Sequence, residues 1–138
     1  KQNDAQDNPL LFEGSEEDFY PDEIREMVLD AVWEKFNNTK AGSRRYDVYK
    51  GIFERNHYRK LTKQRADEIK KLVNDYRTMG APLRSTLKDL GFTITEDGKH
   101  YRLTYYGDER YKTTLSKTGS DFREGNNQAA HIIKTMFC

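Results

Sequence analysis

The stretch FTITEDGKHYRLTYYGDERYKTTLS, residues 92–116, decides how the rest of the chain is read. Its hydropathy repeats every second residue, the period of a strand whose side chains alternate between two faces. Phe92 and Ile94 alternate with Thr93 and Thr95; Tyr101, Leu103 and Tyr105 alternate with His100, Arg102, Thr104 and Tyr106. Tyr111, Thr113 and Leu115 then oppose Arg110, Lys112, Thr114 and Ser116. Asp97-Gly98 and Gly107-Asp108 fall between the runs, and both pairs tolerate the positive φ of tight hairpin turns. The stretch therefore predicts three antiparallel strands with one apolar and one polar face. The polar face gathers His100, Arg102, Arg110 and Lys112 among hydroxyls, with Lys99 next to the histidine. Cations beside hydroxyls match a phosphodiester backbone, although a wet sheet face often carries the same residue types.

Outside this stretch the period is that of helices. Upstream, Pro82 starts a short helix with Leu83, Leu87 and Leu90 inward, closed by Gly91. Thr62 is placed to cap a helix running to Met79, with Ala66, Ile69, Val73 and Tyr76 on one face and Gly80 at its end. Ser43 caps another through about Asn56, with Tyr46, Tyr49 and Phe53 aligned. The first helix opens at Tyr20-Pro21-Asp22-Glu23. Its stripe of Leu29, Val32, Trp33 and Phe36, widened by Ile24 and Val28, predicts a largely buried helix. Downstream, Ala129, Ile132, Ile133 and Met136 mark a last helix over about 127–136. Residues 1–19 are acidic and aperiodic apart from Leu10, Leu11 and Phe12, and are expected to form a disordered linker or tail. The expected architecture is α+β. About three helices over 20–80 precede an α-β-β-β-α unit over 81–138, with a three-stranded antiparallel sheet, all packed as one unit.

A chain of 138 residues suits one domain with an appendage. No apolar run approaches the roughly 20 residues of a membrane span, so no membrane contact is expected. The single cysteine, Cys138, excludes an intrachain disulfide and suits a reducing, cytoplasmic setting. No Cys/His or carboxylate spacing suggests a metal site, and no cofactor is expected. The opening Lys1, in place of Met, suggests a fragment of a larger protein or a processed product.

A net charge of +1 conceals a division: residues 1–34 carry eleven acids against Lys1 and Arg25, a net of −9, leaving +10 on the remainder. An acidic lead and a basic body predict a polyanion-binding surface that the lead could mask intramolecularly. Ten bases lie between Arg44 and Lys71. Around the junction RNHYRKLTKQR, Arg55, Arg59, Lys60, Lys63 and Arg65 stand near rings, a combination suited to phosphates and stacked bases. A solvated helix pair is the plainer alternative.

The order STLKDLGFTITEDGKHYRLTY…SDFREGNNQAAHIIKTM resembles the HicA-type toxins, small bacterial mRNA interferases with a double-stranded-RNA-binding-domain-like fold. Leu90-Gly91-Phe92 matches that family's Gly-Phe step. Gly98-Lys99-His100 matches its Gly-Ser-His except at the middle residue, and Asp121-Phe122-Arg123-Glu124-Gly125 fits the loop before its final helix. The resemblance covers about 50 residues, and the helical extension has no counterpart in that compact family. It implies a HicA-like fold over about 85–136 and His100 as general acid/base for RNA cleavage. It also implies a toxin–antitoxin setting, with an antitoxin or other protein as partner.

The reading that joins these features is a nucleic-acid-binding module, for RNA, within a larger intracellular protein. In its stronger form it is a ribonuclease. A winged-helix DNA-binding domain is one alternative, with the Asp97-Gly98 hairpin as wing; pairing of a third strand and packing of a last helix on the same sheet would weigh against it. A protein-interaction module built on the acidic arm or the Leu10-Leu11-Phe12 patch is another.

Overall fold

The computed structural model describes residues 9–74, 79–117 and 130–137. Helices α1 (Glu23–Asn37), α2 (Arg44–Arg55), α3 (Leu61–Asn74) and α4 (Ala81–Asp89) precede strands β1 (Phe92–Asp97), β2 (His100–Tyr105) and β3 (Asp108–Ser116). A π-helical turn, Ile133–Phe137, follows. The fold is α+β, with one antiparallel sheet in the order β1-β2-β3. No described helix is long and apolar enough to cross a membrane.

The period-two alternation holds along the ladders except near the second turn, where Thr104 is buried and Tyr106 packs against the core instead of joining the polar face. Ile94 faces Leu103, Phe92 faces Tyr105, and Tyr101 faces Leu115 across the ladders. Phe92, Leu103, Tyr105 and Leu115 are buried against Ile69 and Val73 of α3, Leu87 of α4, and Ile132, Met136 and Phe137 at the C-terminal end. Helices and the C-terminal turn thus cover one sheet face. A full-length β3 ladder with C-terminal packing on the same sheet weighs against the winged-helix alternative.

Both turns lie one residue from their expected places. Asp97 pairs with His100, so Gly98-Lys99 is the first loop, with Gly98 at φ 63° as in a II′ turn. Tyr105 pairs with Asp108, so Tyr106-Gly107 is the second, with φ of 49° and 70°. A tyrosine tolerates the left-handed region here because its N–H donates to the Gly91 carbonyl at 2.7 Å and its ring stacks on Phe19. Beyond this turn the register slips. Thr104 faces Lys112 while Tyr105 faces Asp108, so residues 109–111 form a bulge.

Helix α1 departs most from expectation. It is not largely buried: Leu29 is enclosed, but Met27 and Val28 are 40% and 42% exposed. Trp33 and Phe36 are half-buried against Phe53 and Tyr46 of α2, with ring centroids 5.2 and 4.8 Å apart. The buried face of α1 instead carries Glu23 and Glu26. The reason lies 35 residues downstream. Glu26 Oε1 accepts the Leu61 N–H at 2.9 Å and Oε2 accepts the Arg59 N–H at 3.2 Å, which caps the open end of α3. Thr62 is therefore not the cap. It sits inside the first turn of α3, and its hydroxyl donates to Asp30. Ser43 does cap α2, accepting the Tyr46 N–H at 3.2 Å.

The chain ahead of α1 is held at several points. Asp18 accepts the Ile24 N–H at 2.8 Å, and Glu23 accepts the Phe19 N–H at 2.8 Å. Phe19 packs its ring among Tyr105, Tyr106 and Tyr111. Burial pushes the Glu23 carboxyl above its ordinary pKa. The folded chain then binds that proton more tightly than the unfolded chain, so stability falls as pH rises through the raised value. Glu23→Gln removes the term. Thermal melts should show the variant gaining over the wild type at pH 7, with the gain shrinking by pH 4.

Candidate nucleic-acid interface

A cation serves a phosphate best when it is exposed and not already neutralised by a carboxylate. On the open sheet face most cations are neutralised. Arg102 lies 3.2 Å from Asp97, and Lys112 lies 3.6 Å from Glu109. Arg110 grips Asp108 at 2.6 Å and binds both oxygens of Glu16, at 2.8 and 3.0 Å. Hydrogen bonding and charge from Arg110 hold the Asp108 carboxyl down at about 2 and keep Glu16 below the usual carboxylate range. The acidic lead thus reaches the sheet through Glu16, 94 residues from its partner.

His100 stands exposed at the start of β2, facing Asp97 on one side and Ser116 on the other, with Lys99 exposed in the adjoining turn. Lys112 shares its face but pairs opposite Thr104, four residues along the strand. At about 3.3 Å per residue that is ~13 Å away, too far for both to serve one phosphate. The structure does not bring these two together.

The second set of expected contacts divides sharply. Arg59 is engaged by Asp22 at 2.9 Å and lies 3.8 Å from Glu26. Lys60 sits 4.7 Å over the Trp33 ring, and Lys63 pairs with Asp67 one turn on. Arg65 is a clamp between layers. Its guanidinium donates to the Leu90 carbonyl at 2.6 Å and to the Tyr105 and Tyr106 hydroxyls at 3.2 and 3.4 Å. It also lies 4.0 Å over the Tyr20 ring. Burial pushes the Tyr105 hydroxyl up to about 12 despite the opposing charge of Arg65, so it stays protonated.

Arg55 remains, and α2 places it with Arg44, Arg45 and Lys50. All four are exposed, and none forms an ion pair with another described residue. Residues 35–60 hold eight Lys and Arg against only Asp47 and Glu54. Arg44, Val48 and Arg55 share the outer surface of the helix by spacing, away from Tyr46 and Phe53. Beneath them the half-buried rings of Trp33, Phe36, Tyr46, Phe53 and Tyr58 form one cluster, with centroids 4.8–5.9 Å apart. The site is a basic ridge on an aromatic base. A sequence signal for it existed: Arg45 and Arg55 have no carboxylate three or four residues away.

Among the described residues no group of three or more His, Cys, Asp or Glu is placed to hold a metal ion. No family model, curated protein or solved structure matches the chain. The HicA-type resemblance therefore rests on the quoted motifs, of which the loop at 121–125 lies outside the described residues.

Proposed function

We propose that this chain is a nucleic-acid-binding module that holds single-stranded RNA along the exposed face of α2. One observation carries the reading: Arg44, Arg45, Lys50 and Arg55 are exposed and lack carboxylate partners among the described residues. Exposed cations on the outer surface of a helix suit a flexible phosphodiester backbone, which a single strand can bend to follow. Arg102, Arg110 and Lys112 are a weaker surface, since a phosphate there must displace a carboxylate first. The proposal contains no cleavage step, because Arg102, the cation nearest His100 along its strand, is already engaged by Asp97.

Two variants separate the surfaces. With a labelled single-stranded RNA, Arg44→Ala/Arg45→Ala/Arg55→Ala should weaken binding about tenfold or more, since each lost phosphate contact forfeits counterion release. Arg102→Ala/Lys112→Ala should change it by less than about threefold, the scale of surface ion pairs. Equal losses in both, or a larger loss in the sheet variant, would move the interface to the sheet and overturn the assignment to α2.

A further inference from the structure

A cavity of about 350 Å³ opens between residues 16–19, α1, the sheet and the C-terminal turn. Phe19, Met27, Tyr105, Tyr111, Met136 and Phe137 supply its apolar wall. Four carboxylates also face it, from Glu16, Glu17, Glu23 and Asp30, while the described lining includes no Lys or Arg. Two of the four are engaged elsewhere. Glu16 binds Arg110, and Asp30 accepts the hydroxyls of Tyr58 and Thr62.

Glu23 is in a different position. The residue is 5% exposed, and its Oε1 accepts a hydrogen bond from the Phe19 N–H. Its other oxygen has no hydrogen bond to a described residue, and no described cation forms an ion pair with the carboxylate. Arg65 acts on it only at longer range. Solvent still reaches that second oxygen, and a carboxylate set beside aromatic and methionine side chains gains from a counter-ion there.

We propose that this cavity is a binding site for a small organic cation, an amine or guanidinium on an apolar or aromatic body, with its charge set against Glu23. A neutral apolar guest would leave Glu23 without a counter-charge, and an anion would be repelled by it. Phe19, Tyr105 and Met27 offer apolar contact to the cation's body, while the Tyr111 ring already carries Arg110 at 5.0 Å. The volume is at the small end for ligand pockets, room for a monocyclic amine. The site uses none of the α2 cations, so it stands independently of the RNA proposal.

The methionines provide the test. The chain has three; Met27 and Met136 line the cavity, whereas Met79 packs against the core without lining it. With ¹³C-methyl methionine labels, benzylamine titrated at pH 7 is expected to shift the Met27 and Met136 signals and leave Met79 in place. Benzyl alcohol, its uncharged isostere, is expected to bind about tenfold more weakly, the worth of a hydrogen bond to a charged group. Glu23→Gln should weaken benzylamine by a similar factor and leave benzyl alcohol unchanged. The proposal is overturned if benzylamine leaves Met27 and Met136 unmoved, if the two ligands bind alike, or if Glu23→Gln has no effect on benzylamine.

Discussion

Glu26→Ala is expected to destabilise the fold by about 3 kcal/mol, among the largest single losses available in this chain. Glu26 is fully buried, and its two oxygens accept the N–H groups of Leu61 and Arg59. Alanine removes both acceptors together. The first turn of α3 is left uncapped, and its polar link to α1 is reduced to the Thr62 hydroxyl on Asp30. Each stranded N–H costs about 1–3 kcal/mol, reduced where water can enter the space left. The guanidinium of Arg59 keeps Asp22, so the loss falls on the backbone groups more than on the ion pair. Glu26→Gln retains one acceptor oxygen and should lose about half as much. Urea unfolding measures both. A loss under 1 kcal/mol for the alanine variant would mean that α3 does not depend on α1 for its start.

Gly91→Ala should be of similar size, about 3 kcal/mol, for two separable reasons. Gly91 has φ 104°, outside the regions that an L side chain readily adopts. A Cβ there would also fall 2.1 Å from Cε2 and 2.5 Å from Cζ of Tyr106. That ring cannot swing aside freely. It stacks on Phe19 at 5.2 Å and meets Tyr105 at 4.9 Å, while Arg65 donates to its hydroxyl. A double-mutant cycle with Tyr106→Ala tells the two apart. The clash should vanish in the Tyr106→Ala background, where Gly91→Ala then costs only the backbone strain, about 1 kcal/mol. An undiminished cost there would assign the whole effect to the backbone.

Both predictions concern features that local pattern conveys unevenly. The strands were legible because alternation and turn chemistry are carried by neighbours: Leu103, Tyr105 and Leu115 fall on the buried face as their spacing requires. Turn placement erred by one residue because Asp97-Gly98 and Gly98-Lys99 are both acceptable pairs, and only cross-strand pairing chooses between them. The Ser43 cap was readable for the same local reason. Burial of α1 was not, because an apolar stripe states what can be buried and the partner surface decides what is. Here α2 covers Trp33 and Phe36 only in part, and the start of α3 recruits a carboxylate instead.

The site was legible in the same uneven way. Counting cations marks a basic region, but the carboxylates that pair with them come from far along the chain. Asp22 reaches Arg59 across 37 residues, and Glu16 reaches Arg110 across 94. Arg65 looks like any other member of a basic run until the Leu90 carbonyl and two tyrosine hydroxyls are seen around it. Among the described residues the cations of the α2 ridge stay exposed and without ion pairs, as does Lys99 in the first turn of the sheet.

That ridge is the central claim, and its salt dependence tests it most directly. The association constant of the full chain for a labelled single-stranded RNA should be measured from 50 to 200 mM salt. Three phosphate contacts, from Arg44, Arg45 and Arg55, each contributing about 0.7 to the slope, predict that log K falls with log[salt] at a slope near −2. A slope near zero, or no binding at 50 mM, would contradict the account.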